Sequence, residues 1–240
     1  MKLLIVLDTF PTLSETFLYT LIQNLMDQGI NVEILARKKG KADQVPGFSN
    51  EVHFIPSEQH PRFLKFLILI GYFIVWIIHK PVDLVNFVKA LRNHQRKSGS
   101  WLQIFYRLAP NCMKDFDLIY LPFGGLAVKF IDLFETCQVP IVFSLRGSDI
   151  HITPLVNEIY RVRLENAIEK AAGIHCVCAE IKTCAEALAS KPLQKVRVIY
   201  TALASMFMQG PEKIYNTPTQ NSNPRLISIG RLDWRKGLEH

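Results

Sequence analysis

No stretch of this 240-residue sequence stays apolar for the roughly 20 residues that a membrane-spanning helix needs. The most apolar run, Phe66 to Ile78, ends after thirteen residues between Lys65 and the group His79, Lys80 and Pro81. Met1 to Leu7 is apolar too, but it meets Asp8 and Pro11 before reaching the length of a signal h-region, so the chain is expected to begin in the cytoplasm. Cysteine is sparse: the five residues at 112, 137, 176, 178 and 184 are odd in number and lack the dense spacing of a disulfide scaffold, which fits a reducing compartment. Cys176, Cys178 and Cys184 stand near His175 without a second ligand pair at zinc spacing. They read as buried structural thiols, and no metal is expected.

Phosphate-binding fingerprints are also missing. No Gly-x-Gly-x-x-Gly follows the first strand and no Gly-x-x-x-x-Gly-Lys-Ser/Thr occurs, so a dinucleotide oxidoreductase or a P-loop NTPase lacks its cradle. The Gly-x-Ser-x-Gly elbow of serine hydrolases is absent. Basic residues at Arg37 to Lys41 and Arg92 to Lys97 read as surface loops or helix ends rather than an aromatic-interleaved stripe, so no nucleic acid is expected as partner. Internal repeats, low-complexity tracts and sustained heptads are absent.

What is present suits a folded α/β chain. Hydrophobic residues make up 49% and aromatics 10%, enough for one large core. The 28 Lys and Arg outnumber 21 Asp and Glu to leave +7, which favours anionic partners such as an acidic membrane face or a phosphorylated ligand. The segment Phe63 to Ile78 fits two readings, a core helix or a helix in a membrane interface, to which Phe63, Tyr72, Trp76, Arg62 and Lys65 are suited. An anionic membrane surface is therefore a candidate partner.

Strand and helix patterns alternate along the chain. Lys2 to Leu7 predicts a strand. A helix starting at Thr12 or Ser14 follows, with Phe17, Leu18, Leu21, Ile22, Leu25 and Met26 on one face and Gly29 as its stop. Asn31 to Ala36 and Glu51 to Ile55 read as strands, 63–78 and 82–96 as helices, and Phe116 to Leu121 as a strand. Helices at 125–135, 155–171 and 180–189 then alternate with strands at 139–145, 173–178 and 196–200. This pattern implies a doubly wound, mostly parallel sheet. Residues 1–208 form the first domain. The Pro- and Asn-rich 209–224 reads as a linker, and 225–240 opens a second, truncated domain.

Ligands of such sheets bind beyond the carboxyl ends of the strands, which singles out three segments. In Asp8 to Phe17, a helix start with Ser14 and Glu15 offers N–H groups to an anion or a sugar hydroxyl, or is simply capped by Thr12 or Ser14 and Glu15. In Arg146-Gly147-Ser148-Asp149, Arg146 can pair with phosphate and Ser148 and Asp149 with hydroxyls, or Asp149 caps the next segment. In Gly230 to Gly237, Arg231 and Lys236 can stabilise the charge of a departing diphosphate, or form a solvated turn.

Taken in order, these segments resemble bacterial glycosyltransferase family 4, in the branch serving exopolysaccharide and lipid-linked glycans. Phe10 to Phe17 matches its Phe-Pro-x-x-Ser-Glu-Thr-Phe signature, Gly147 to Asp149 its Gly-Ser-Asp loop, and Gly230, Arg231, Leu232, Lys236 and Gly237 the opening of its second domain. The resemblance implies a GT-B fold of two facing Rossmann-like domains. It also implies a retaining hexosyltransferase using a nucleotide-diphosphate sugar as donor, a saccharide or lipid-linked acceptor, no cofactor and no metal. By the same resemblance Gly230, Arg231 and Lys236 bind the donor diphosphate, while Ser14, Glu15 and Arg146 to Asp149 line the cleft; no catalytic residue is assigned. Arg146 replaces a frequent His, Thr201 and Ala202 replace an Asn-Gly pair, and the donor-binding Glu-x7-Glu segment is absent. Either a peripheral membrane enzyme or an inactive acceptor-domain fragment needing a second polypeptide is therefore expected. A GT-B sugar-nucleotide epimerase is disfavoured by the Phe10 to Phe17 signature.

Overall fold

The computed structural model describes residues 1–12, 15–40, 52–54 and 116–201, with helical positions 63, 67, 70, 71, 73, 74, 77, 78, 81, 84 and 85 between them. The chain divides into two units, Met1–Ala204 and Ser205–His240, and the described residues belong to the first. The expected linker and second-domain start lie outside the described residues, as does Ser14.

Seven strands form one sheet in the order β3-β2-β1-β4-β5-β6-β7, and every neighbouring pair is parallel. They are β1 (Lys2–Phe10), β2 (Asn31–Lys39), β3 (Val52–Phe54), β4 (Leu118–Leu121), β5 (Ile141–Leu145), β6 (Gly173–Cys176) and β7 (Val196–Val198). Besides the helical positions between 63 and 85, the described helices are α1 (Thr16–Asp27), α2 (Gly124–Lys129), α3 (Leu133–Thr136), α4 (Ser148–His151), α5 (Thr153–Val156), α6 (Glu158–Lys170) and α7 (Ala179–Leu188). The expected α/β class with a doubly wound parallel sheet is observed.

The central strands are apolar on both faces because helices cover both faces of the sheet. Ile5, Leu7, Ile34, Ile119, Leu121 and Phe143 are fully buried. Each such side chain contributes about 2 kcal/mol of burial, so the core lies along β1, β2, β4 and β5. On α1, Leu18 and Ile22 face that core, with Phe17, Leu21, Leu25 and Met26 packed beside them. Gly29 ends the helix at φ 79°, a left-handed conformation that glycine adopts without a Cβ penalty. Its N–H bonds the Met26 carbonyl at 2.8 Å.

Several boundaries differ from the sequence expectation. β1 and β2 each run three residues further than expected because Thr9 and Phe10 pair with Lys38 and Lys39. Arg37 to Lys39 are thus strand residues and not a surface loop. Gly40 follows with its N–H on the Phe10 carbonyl, and a Cβ there would clash with the Pro11 carbonyl oxygen. The helix expected at 125–135 breaks into α2 and α3. The one expected at 155–171 becomes α5 and α6, separated by Asn157, whose side chain accepts the Tyr160 N–H and starts α6.

Candidate functional site

The chain leaves β1 through β2 and β3 on one side and returns to β4 on the other. The crevice beyond the carboxyl ends of β1 and β4 is therefore the topological switch point, where open α/β sheets take ligands. Asp8, Thr9 and Phe10 end β1 there, and β4 runs into Pro122, Phe123 and Gly124.

Arg146, just past β5, joins the two sides. Its guanidinium lies 3.8 Å from the Phe17 ring centroid and 5.9 Å from that of Phe123. Nε donates to the Pro122 carbonyl at 3.1 Å and one terminal nitrogen to Thr201 Oγ1 at 3.4 Å. Phe17 and Phe123 meet edge to face at 5.9 Å. Cation–π stacking and the carbonyl bond together fix the plane of a group suited to a phosphate, a carboxylate or a sugar hydroxyl.

The loop carrying Arg146 is shaped by Asp149. Its carboxylate accepts the backbone N–H of Gly147 at 2.8 Å, of Gly124 at 2.9 Å and of Arg146 at 3.1 Å. A carboxylate has about four acceptor positions, so this side chain is largely committed to the loop and ties the β4–α2 turn to the β5–α4 turn. At Gly147 no atom lies within 4 Å of where a Cβ would stand, so the space beside its backbone is open. Ser148 is exposed at the start of α4.

Beside this loop lies an ionic cluster. Arg37 grips Asp8 with two bonds, at 2.8 and 3.1 Å, and Lys129 bonds the same carboxylate. Burial opposes ionisation of Asp8, but the Arg37 and Lys129 bonds outweigh it and bring its pKa down to about 2. Glu15, half-buried at the entry to α1, is shifted the other way. Burial and then the Asp8 charge raise its pKa, against a lowering by Arg146. Two carboxylates at one strand edge are thus held in opposite tendencies, which suits one for fixed charge and the other for accepting or donating a proton.

Beneath the edge, a polar chain crosses three strands. His175 Nε2 is 2.8 Å from the Ile199 carbonyl, so that nitrogen carries the proton and Nδ1 accepts from Ser144 Oγ at 2.7 Å. Tyr120 Oη in turn bonds Ser144 Oγ. Burial lowers the His175 pKa and keeps the ring neutral. Ser144 is fully buried, which makes it a structural hydroxyl and not a nucleophile.

Of the residues singled out from sequence, Glu15, Arg146, Gly147, Ser148 and Asp149 lie around this strand edge; Ser14, Gly230, Arg231 and Lys236 lie outside the described residues. Thr12 does not cap α1. Its hydroxyl donates to the Thr9 carbonyl and its N–H to Tyr19 Oη, and the Glu15 side chain makes no cap bond. Sequence reasoning placed Asp8 at the head of its first segment without giving it a role, and missed Arg37, Lys129 and the Tyr120–Ser144–His175 chain. The available signal was that Asp8 and Arg37 both stand near the carboxyl ends of adjacent parallel strands. Of the thiols expected to be buried, Cys176 is, and burial pushes its thiol up to about 12; Cys178 and Cys184 are only partly buried against the core, and Cys184 Sγ lies 3.6 Å from His151 Nδ1. Among the described residues, no three His, Cys, Asp or Glu side chains group to hold a metal, and no helix is long and apolar enough to cross a membrane.

No family model matches the chain, and no curated protein matches it. Among solved structures it is similar to Anabaena HepE in complex with UDP, at 15% identity and TM-score 0.47, covering 85% of this chain and 44% of that one. It is also similar to the lipopolysaccharide outer core galactosyltransferase WaaB in its apo form, at 10% identity and TM-score 0.46, over 85% of this chain and 46% of that one. The chain spans less than half the length of either.

Proposed function

We propose that this chain is the acceptor-side domain of a GT-B glycosyltransferase of family 4 type, which moves a hexose from a nucleotide-diphosphate sugar to a saccharide or lipid-linked acceptor with retention. The observation that carries the reading is the stacking of Arg146 on Phe17 at 3.8 Å. Two segments that resemble the family's signatures, more than a hundred residues apart in sequence, meet at the switch point of a doubly wound sheet. In this reading Arg146 and the open backbone at Gly147 receive the acceptor, and Glu15, whose pKa is raised, exchanges a proton with it. The exposed Leu155, Val156 and Ile159, on α5 and the first turn of α6, suit the apolar part of a lipid-linked acceptor. Gly230, Arg231 and Lys236 would hold the donor diphosphate from the second domain. The reaction would run at the cytoplasmic face of the membrane, and needs no metal if these cations carry the leaving charge.

The test is incorporation of label from radiolabelled nucleotide-diphosphate hexoses into polymer or lipid extracts of the source cell. An allele with Arg146→Ala should lower incorporation by about 10² or more, since a charge-assisted contact is lost. Full incorporation when the chain is deleted would overturn the assignment.

A further inference from the structure

Leu164, Ala167 and Ile168 bury one side of α6 in the core, and Asn157 caps its first turn, so the domain holds this helix in place. The opposite side is apolar where it meets water. Ile159 is 69% exposed and Val162 53%, and just before the helix Leu155 is 82% and Val156 79% exposed. These four side chains expose roughly 500 Å², within the range at which a surface patch marks a contact. Ile159, Val162, Asn166 and Glu169 recur at intervals of three and four residues and fall within roughly 80° of arc, which makes a seam about 15 Å long. Glu158 and Glu165 run along one flank of the seam, and Arg163 and Lys170 along the other.

We infer that α6 is the contact through which two copies of this chain pair, side by side and parallel about a two-fold axis, with Ile159 and Val162 meeting across the seam. Charge selects both the partner and the direction. In a parallel pair, a residue on one flank faces the residue five positions further along the other copy. Five residues after Glu158 stands Arg163, and five after Glu165 stands Lys170. The two-fold axis makes each of these pairs twice. An antiparallel pair would set glutamate against glutamate and base against base, which opposes it. Asn166 lies on the seam itself, where a polar side chain fixes register in two-stranded contacts at a cost in strength. Arg161 touches Oε1 of Glu158 and of Glu165 at 3.5 Å within the helix, and each carboxylate keeps its other oxygen for the second copy. A stable interface buries about 800 Å² per partner, so this shorter seam gives a weak dimer, with a Kd of roughly 10–300 μM. Because α6 runs from the Arg146 loop back to β6, a parallel pair sets both crevices at the same end of the dimer. The inference uses only the surface of α6, and stands whether or not Arg146 receives a sugar acceptor.

Sedimentation velocity of the purified chain over roughly 1–500 μM should show the mass rising towards that of two copies. Ile159→Asp should weaken the pairing at least about tenfold and leave the thermal unfolding transition in place, because the side chain faces outward. Glu158→Arg and Arg163→Glu should each weaken self-pairing about tenfold, whereas an equal mixture of the two variants should recover a dimer holding one copy of each. Only a parallel seam pairs position 158 with position 163 in this way. The mixed dimer decides the matter by itself if Ile159→Asp fails to fold. A wild-type chain that stays monomeric at the highest concentration overturns the inference, and so does a dimer that survives Ile159→Asp or a mixture that stays monomeric. A monomer that takes up detergent micelles through Leu155 and Ile159 overturns it too, and gives the face to lipid.

Discussion

Replacing Asp149 should loosen the loop that presents Arg146. Its carboxylate accepts three backbone N–H groups, from Gly147, Gly124 and Arg146, at 2.8 to 3.1 Å. A hydrogen bond to a charged group is worth about 1.5–3 kcal/mol, but the three share one partly exposed carboxylate and water can reach part of the loop. The sum is therefore nearer a single strong bond plus the cost of stranded donors: about 3 kcal/mol for Asp149→Ala. Asp149→Asn keeps one acceptor oxygen and turns an amide donor toward N–H groups, so it should cost about 2 kcal/mol. For a domain of this size these values lower Tm by roughly 4–12 °C. Urea unfolding followed by far-ultraviolet circular dichroism measures them, with the exposed Ser148→Ala as a control that should stay within about 0.5 kcal/mol. If Asp149→Ala also stays within about 0.5 kcal/mol, the carboxylate does not hold the loop, and a role in contacting ligand hydroxyls becomes the better account.

Asp8 has a pKa depressed from 3.8 to about 2, so its contribution to stability is full above the unfolded value and fades as pH falls from about 4 toward 2; an Asp8→Asn variant compared with wild type should differ most near neutrality and converge at the acid end. His175 is shifted the opposite way for a base. Its lowered pKa means the unfolded state takes up the proton first, so wild type should lose stability as pH drops below about 6.5, and His175→Gln should flatten that part of the profile. Gly40→Ala should lower stability by several kcal/mol or prevent folding, because its Cβ would clash with the Pro11 carbonyl oxygen; a melting temperature unchanged from wild type would show that the β2 exit does not pass so close.

The sequence by itself determined the class of fold and the order of its elements. Runs such as Leu3 to Leu7 and Asn31 to Ala36 are apolar enough to be buried on both faces, and the helix between them has a single apolar stripe and a glycine stop. These are local periodicities, legible without knowing what packs where. It also marked the segments at Glu15 and at Arg146 to Asp149, because residues after strands in such sheets face ligands.

Tertiary structure alone decided which residues meet. Arg37 read as part of a basic loop because nothing in its neighbourhood reveals Asp8; only parallel pairing of β1 with β2 brings the two carboxyl ends together. Lys129 reaches the same carboxylate from a helix more than a hundred residues along the chain. Asp149 looked able to bind a ligand hydroxyl, but the turn after β4 comes within reach and occupies its oxygens. Tyr120, Ser144 and His175 look like unrelated polar residues in three apolar strands until sheet order sets β4, β5 and β6 side by side, with Ser144 in register with His175 and Tyr120 two residues off. The pattern of a sequence reports what each residue prefers as neighbour, water or oil. Which partner satisfies a buried charge is set by strand order and register, and neither is encoded in spacing along the chain.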